Sequence, residues 1–315
     1  MVGQAKEEAV VEKDDGTPAV RWLGDLSDAE CPLAGGKGAA LARLLRAGYP
    51  VPEGCVLLPA AFENDDVTPG AWTQVQGLLA RMREPVGGAS FAVRSSALVE
   101  DSARASFAGQ FETVLDVAGD EEVRAAIHTV RRSRHSERVR AYLAAQGLDP
   151  VLAHGPLEMA VVVQRLVRAD LAGVLFTSDP VTGSRERMVG SFVRGKGEGL
   201  GGGEVEGEAF ALVRPNGRHE GPPDLRPFAR KLFKLALRLE RDFDEGPGAR
   251  RMARPQDIEW AVAGGKLYLL QARPITTLQG YDRLTGAFND SLTGDFVWSS
   301  VNIGEALAVV MTPYT

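Results

Sequence analysis

PQDIEWAVAGGKLYLLQARPIT, residues 255–276, is the stretch whose pattern decides the fold. Two apolar runs, Asp257–Val262 and Leu267–Arg273, flank Gly264-Gly265 and read as a β-hairpin. Side chains alternate across a strand, so Asp257, Glu259 and Ala261 share one face of the first run. Leu269, Gln271 and Arg273 share one face of the second. If the loop holds an odd number of residues, Glu259 stands opposite Gln271 and Asp257 opposite Arg273. A carboxylate and an amide oxygen facing each other are hard ligands for Mg²⁺, which takes few protein groups and leaves its other positions to a substrate's phosphates. A solvent-facing polar side is the plainer reading of the same alternation.

Upstream of the hairpin, strands and helices mix without a regular βαβα alternation, which predicts an α+β architecture with antiparallel sheets. KGAALARLLR (Lys37–Arg46) is a helix with Leu41, Leu44 and Leu45 on one face, preceded by Gly35-Gly36 and ended by Gly48. Short strands are expected at Cys55–Leu58, Ser90–Arg94 and Phe111–Val117, and a helix at Trp72–Met82. Ser95–Gly109 reads as a long loop of small residues, a length that usually serves function. One long helix is expected over Asp120–Gln146, its acidic start favourable at a helix N-terminus. Strands follow at Glu158–Gln164, Gly173–Phe176, Met188–Val193 and Ala209–Val213, with the glycine-rich stretch Gly195–Gly207 before the last. Leu225–Phe243 is an amphipathic helix with Phe228, Leu232, Leu235, Leu239 and Phe243 inward and a basic opposite side.

The composition is that of a globular chain: 315 residues, 44% hydrophobic and 25% charged. No apolar run approaches a membrane span, and the polar N-terminus is no signal peptide. Cys31 and Cys55 form no framework and read as reduced, which fits the cytoplasm. The net charge of −6 argues against a general nucleic-acid binder. Half of it lies in residues 1–18, expected to be a disordered tail, where Glu7, Glu8, Glu12, Asp14 and Asp15 outweigh Lys6 and Lys13.

Gly197, Gly199 and Gly202 satisfy G-x-G-x-x-G, but strand-like EVEGEAFALV follows where a dinucleotide site needs a helix. Lys37, in GGKGAA, lacks the glycine and hydroxyl residue of a Walker A lysine. A cation at a helix N-terminus opposes the macrodipole, so Lys37 is either a solvated lysine or one with an anion to hold. Arg94 ends an apolar strand and needs a partner, a core carboxylate or a phosphate. Ser95, Ser96, Glu100, Asp101 and Ser106 read as ordinary loop polars. The histidines suggest no nucleophile: His128 and His135 share a helix face seven residues apart, and His154 and His219 sit in loops.

Together, LAGGKGAALARLLRAGYPVPEG (33–54), FAVRSSALVEDSARASFAGQFETVLDV (91–117), VVVQRLV (161–167) with GVLFTSDPVTG (173–183), and the terminal hairpin resemble one family. It is the N-terminal ATP-binding domain shared by phosphoenolpyruvate synthase, pyruvate phosphate dikinase and rifampicin phosphotransferase. The resemblance spans about residues 22–278 and implies an ATP-grasp-like fold, two lobes clamping the nucleotide. Residues 19–278 would be this domain and 279–315 a connector toward further domains. Carried over, Lys37, Arg94 and Arg273 would contact the ATP phosphates. Gly109 and Thr113 would border the nucleotide, Gln164 would approach adenine or ribose, and Glu259 and Gln271 would hold Mg²⁺. The loop Ser95–Gly109 would close as a lid.

The glycine-rich stretch departs from the family, reading RGKGEGLGGGEV where relatives read closer to GLGE-x-LVSGEV. None of the four histidines matches the family's phosphohistidine motif. The resemblance therefore implies a histidine on a swivelling domain and an acceptor-binding domain, in a longer chain or on separate chains. The activity implied is a kinase- or dikinase-type phosphotransfer that splits ATP to AMP. A nucleotide-responsive interaction module without chemistry is the alternative, and a structural scaffold with an empty cleft the third reading.

Overall fold

The structure is a computed structural model that describes residues 19–84, 88–98, 111–145, 157–195, 207–243 and 255–275. In chain order its elements are β1 (Val20–Trp22), α1 (Gly35–Arg46), β2 (Gly54–Leu57), β3 (Phe62–Glu63), β4 (Asp66–Val67), α2 (Pro69–Arg83), β5 (Phe91–Ala97), β6 (Thr113–Val117), α3 (Asp120–Arg132), α4 (Glu137–Ala145) and β7 (Met159–Arg165). They continue with β8 (Leu171–Phe176), β9 (Arg187–Arg194), β10 (Glu208–Val213), β11 (Arg218–Glu220), α5 (Arg226–Asp242), β12 (Gln256–Ala263) and β13 (Lys266–Pro274). Two large antiparallel sheets result, beside a two-stranded ribbon of β3 and β4. One is ordered β1-β2-β7-β5-β6, the other β11-β10-β9-β8-β12-β13. The expected α+β class with antiparallel sheets is what forms.

Helix ends follow local chemistry. Pro69 opens α2, where Thr68 accepts from the Ala71 amide at 3.3 Å. Glu122 accepts from the amides of Ala118 and Gly119 ahead of α3. The single helix expected over Asp120–Gln146 is instead broken at Ser133–His135. There the Ser133 hydroxyl bonds the Val130 carbonyl, and Ser136 accepts from the Val139 amide to start α4.

Alternation along the first sheet feeds two cores. Cys55, Leu57, Phe91, Val93, Val161 and Val163 pack on α2 and α3. The opposite face, with Val56, Ala160 and Val162, joins α1, the second sheet and α5 in one continuous cluster. Leu41 and Leu44 of α1 and Leu232, Phe233, Ala236 and Leu239 of α5 are buried in it, around Trp260. The basic side of α5 is exposed at Arg226, Arg230, Lys231, Lys234, Arg238 and Arg241. The C-terminal end of α1 is tied to α5: Tyr49 donates to Asp242 at 2.8 Å, and the Arg238 guanidinium lies 4.3 Å over the Tyr49 ring.

Several boundaries move. The strand expected to end at Arg94 runs on through Ser95 and Ser96 to Ala97, so the long loop starts later; 99–110 lie outside the described residues. Gly35 and Gly36 belong to α1 rather than preceding it. His219 lies in β11, not in a loop. The glycine-rich residues 196–206 and His154 lie outside the described residues, as do 1–18 and 276–315.

Candidate nucleotide-phosphate site

The β12–β13 hairpin carries the acidic half of the site. Gly264 and Gly265 have φ of 54° and 73°, which makes the connection a two-residue turn of the I′ kind. Two is an even number, so regular pairing would set Glu259 opposite Leu270. The register instead shifts between Glu259 and Trp260 at a β-bulge. Leu270 is the extra residue, and beyond it Glu259 pairs with Gln271 and Asp257 with Arg273. The expected pairing is thus reached, but by a bulge and not by an odd loop. The bulge also corrects the expectation that Leu269 shares a face with Gln271 and Arg273. Leu267, Leu269 and Ala272 enter the core with Ile258 and Trp260. Gln271 and Arg273 lie with Glu259 and Asp257 on the other side.

Arg94 reaches this hairpin from the first sheet. One terminal nitrogen donates to Glu259 Oε2 at 2.9 Å and to Gln271 Oε1 at 3.4 Å. The other donates at 3.2 Å to the carbonyl of Leu270, the residue the bulge leaves out of the ladder. Arg273 donates to Asp257 Oδ2 at 2.8 Å across the strand pair. Lys37, half-buried in the first turn of α1, acts on the same carboxylate as the two arginines. Burial pushes Glu259 up, but the charges of Arg94, then Lys37 and Arg273, outweigh it and hold the group below its ordinary value. Asp257 moves the other way: burial raises it, the Arg273 guanidinium opposes the rise, and the Glu259 charge adds to it. The structure therefore brings Lys37, Arg94, Arg273, Glu259 and Gln271 into one cluster between the sheets.

The remaining sequence candidates differ. Thr113 is the cross-strand partner of Arg94 on β6, on the same face and exposed. Gln164 pairs with Ala92 and so shares the face of Arg94, but it is buried and donates to the Pro52 carbonyl at 3.1 Å. Gly109 lies outside the described residues. Ser96, taken from sequence for a loop polar, is fully buried and belongs with the site's supports. Its hydroxyl donates to Ala34 O at 2.6 Å and accepts from the Gly38 amide at 2.9 Å. No sequence signal marks that bond, because its partners lie 58 and 62 residues away. Two of the histidines are engaged elsewhere: His128 faces Asp66 at 3.5 Å and His135 faces Asp65 at 3.2 Å.

A separate open hollow of about 520 Å³ lies at the far end of the second sheet, against Asp170, Arg194, Asp224 and Phe228. It has no part in the cation cluster. Among the described residues no group of three or more His, Cys, Asp or Glu side chains is gathered for a metal. None of the described helices is long and apolar enough to cross a membrane.

Among the described residues every strand pairing is antiparallel, unlike a doubly wound nucleotide fold, and Lys37, Arg94 and Arg273 come from a helix, a strand and a hairpin. The sequence agrees over residues 59–221 and 227–284, which match the pyruvate phosphate dikinase AMP/ATP-binding domain, and the chain belongs to that family. It is 28% identical to a probable phosphoenolpyruvate synthase of Methanocaldococcus jannaschii, over 85% of this chain and 27% of that protein. It is 30% identical to a probable phosphoenolpyruvate synthase of Archaeoglobus fulgidus, over 82% of this chain and 42% of the relative. A rifampicin phosphotransferase of a Streptomyces species is 32% identical over 81% of this chain and 36% of its own length. The chain thus spans less than half the length of these relatives. Its two antiparallel sheets agree with the ATP-grasp-like, α+β build that the resemblance implies.

Proposed function

We propose that this chain is the nucleotide-binding part of an AMP-forming, phosphohistidine-dependent phosphotransferase. In this reading it binds Mg-ATP between the two sheets and presents the terminal pyrophosphoryl unit to a histidine on a separate swivelling domain. The observation that carries the reading is the cluster in which Arg94 bonds Glu259 and Gln271 while Arg273 bonds Asp257 beside them, with the charge of Lys37 also acting on Glu259. ATP brings about four negative charges, and phosphoryl transfer is catalysed mainly by positioning and charge neutralisation. Three cations from three separate segments meet that demand, and their fixed places remove the cost of assembling them when the nucleotide arrives.

The donor set suits magnesium. Glu259 Oε2 and Gln271 Oε1 already lie within 2.9 and 3.4 Å of one cationic nitrogen, so two hard oxygens converge on a single positive point. When bound there, the metal would neutralise charge on the phosphate oxygens. Glu259, held below its ordinary range, stays anionic for that task. Arg94 and Arg273 would turn to the phosphates, with Lys37 beside them, while Thr113 borders the nucleotide next to Arg94 and Gln164 keeps its place nearer the base. Residues 19–278 form the binding unit in this reading, and 279–315 lead toward the histidine and acceptor domains, in a longer chain or a separate one. An ATP-dependent enzyme of this kind works in the cytoplasm.

Calorimetric titration with Mg-ATP tests the reading. Arg94→Ala and Arg273→Ala each remove a charge-assisted phosphate contact worth about 1.5–3 kcal/mol, so affinity is expected to fall roughly 10- to 150-fold. Unchanged affinity in either variant refutes the assignment of the cleft.

A further inference from the structure

The first turn of α1 lacks the side-chain cap that a helix start ordinarily carries. Its N-cap residue is Ala34, with no side-chain oxygen to offer. The cap comes from another segment. The Ser96 hydroxyl, on β5, accepts from the Gly38 amide at 2.9 Å and donates to the Ala34 carbonyl at 2.6 Å. It therefore grips the helix on both sides of Lys37. The backbones also touch. Gly35 has φ of 66°, and a Cβ there would stand 2.2 Å from the Ser96 carbonyl oxygen. Ser96 lies two residues beyond Arg94 on the same strand and the same face, about 7 Å further along. At its other end α1 is fixed to α5 through Tyr49 and Asp242.

We propose that Ser96 is a positioning residue of the nucleotide-phosphate site, setting the place of Lys37 relative to Arg94 by capping α1 from the neighbouring strand. The proposal rests on the reading of Lys37 and Arg94 as phosphate-binding cations. Without the hydroxyl, the bridge from β5 to the Gly38 amide and the Ala34 carbonyl is gone, and the helix start is free to slide or fray. A shift of about 1 Å is enough to spoil a geometry-dependent contact. Ser96 touches no reacting atom itself; it acts through Lys37.

A double-mutant cycle on the 315-residue chain, read as Mg-ATP affinity by calorimetry, tests this. Ser96→Ala is expected to weaken binding about tenfold in the parent chain. Against Lys37→Met it should have little further effect, under about twofold, because the group it positions is gone. Against Arg273→Ala it should still cost about tenfold, since Arg273 hangs from a different strand. A folded Ser96→Ala chain with parental affinity overturns the proposal. So does an equal loss in the Lys37→Met and Arg273→Ala backgrounds, which is what a merely structural serine would give. If Lys37→Met and Arg94→Ala themselves leave affinity unchanged, the phosphate reading falls, and the proposal with it. If both weaken binding but the cycle is additive, only the role of Ser96 falls. Should Ser96→Ala not fold, Ser96→Cys enters the same cycle: its thiol keeps most of the volume and makes only a weak hydrogen bond. The expected and overturning outcomes are the same.

Discussion

Replacing Glu259 by glutamine should move nucleotide affinity in opposite directions with and without magnesium. In the structure Glu259 is bonded by Arg94 and lies under the charges of Lys37 and Arg273, and its side chain is about one-third exposed. A phosphate oxygen seated on the Arg94 guanidinium would lie roughly 5 Å from that carboxylate. At an effective dielectric of about 20, two unit charges at that distance repel by about 3 kcal/mol. Solvent screening at this partly open position reduces the figure to about 1–2 kcal/mol. Glu259→Gln keeps the shape and removes the charge, so metal-free ATP, titrated in the presence of a chelator, should bind about 5- to 30-fold more tightly. With excess magnesium the same variant should bind more weakly than the parent, because a neutral amide is a poorer ligand for a hard cation. Calorimetry under the two conditions reads both changes. Equal weakening in the two titrations would show that Glu259 serves only as the partner of Arg94, and the metal assignment would be wrong.

Two further outcomes concern stability. Gly35→Ala should cost about 3 kcal/mol or more, since its φ of 66° disfavours a side chain and the new Cβ would meet the Ser96 carbonyl at 2.2 Å. Gly48→Ala, at φ 74° with nothing within 4 Å, should cost about 1 kcal/mol; chemical denaturation of the two variants would show equal losses if the contact with Ser96 were unimportant. Glu30 is held down to about 2 by the hydroxyl and amide of Ser27, with Arg21 adding to the effect, against an ordinary 4.5. Its folded value is depressed, so its contribution is complete above pH 4.5 and drains away as pH falls toward 2. Parent and Glu30→Gln chains should therefore differ by about 1 kcal/mol near neutrality and converge in acid, and a constant gap across that range would refute the linkage.

The periodic elements were legible in the sequence because their signals are local. Of the α5 stripe expected at helical spacing, Leu232 and Leu239 are buried while Phe228, Leu235 and Phe243 are partly so, with Phe233 and Ala236 completing the face; the alternation of β12 sets Ile258, Trp260 and Val262 against Asp257 and Glu259. Other features depend on distant partners. Residues 120–145 favour helix throughout, but buried Arg131 and Arg134 bond the carbonyls of Met159, within β7, and Leu157, ahead of it, at the break. Three-residue β1 exists only because β2 pairs with it, and the two-residue strands β3 and β4 close around Asn64 at φ 58°. Within the candidate site, local signals left Lys37 and Arg94 each with two readings, and the family resemblance is what made their grouping with Arg273 accessible. Ser96 was not, since its chemistry lies wholly in what α1 brings to it.

The one inserted residue at Leu270 divides β13 into two lengths with opposite phase. Nearer the turn, odd-numbered side chains are structural filling; beyond it, odd-numbered side chains are chemistry. Substitutions along this strand should thus sort into melting defects and ligand-affinity defects with a border a single position wide. Deleting that position would leave the glutamine and the arginine facing the same carboxylates, and would take away the backbone oxygen that Arg94 holds there.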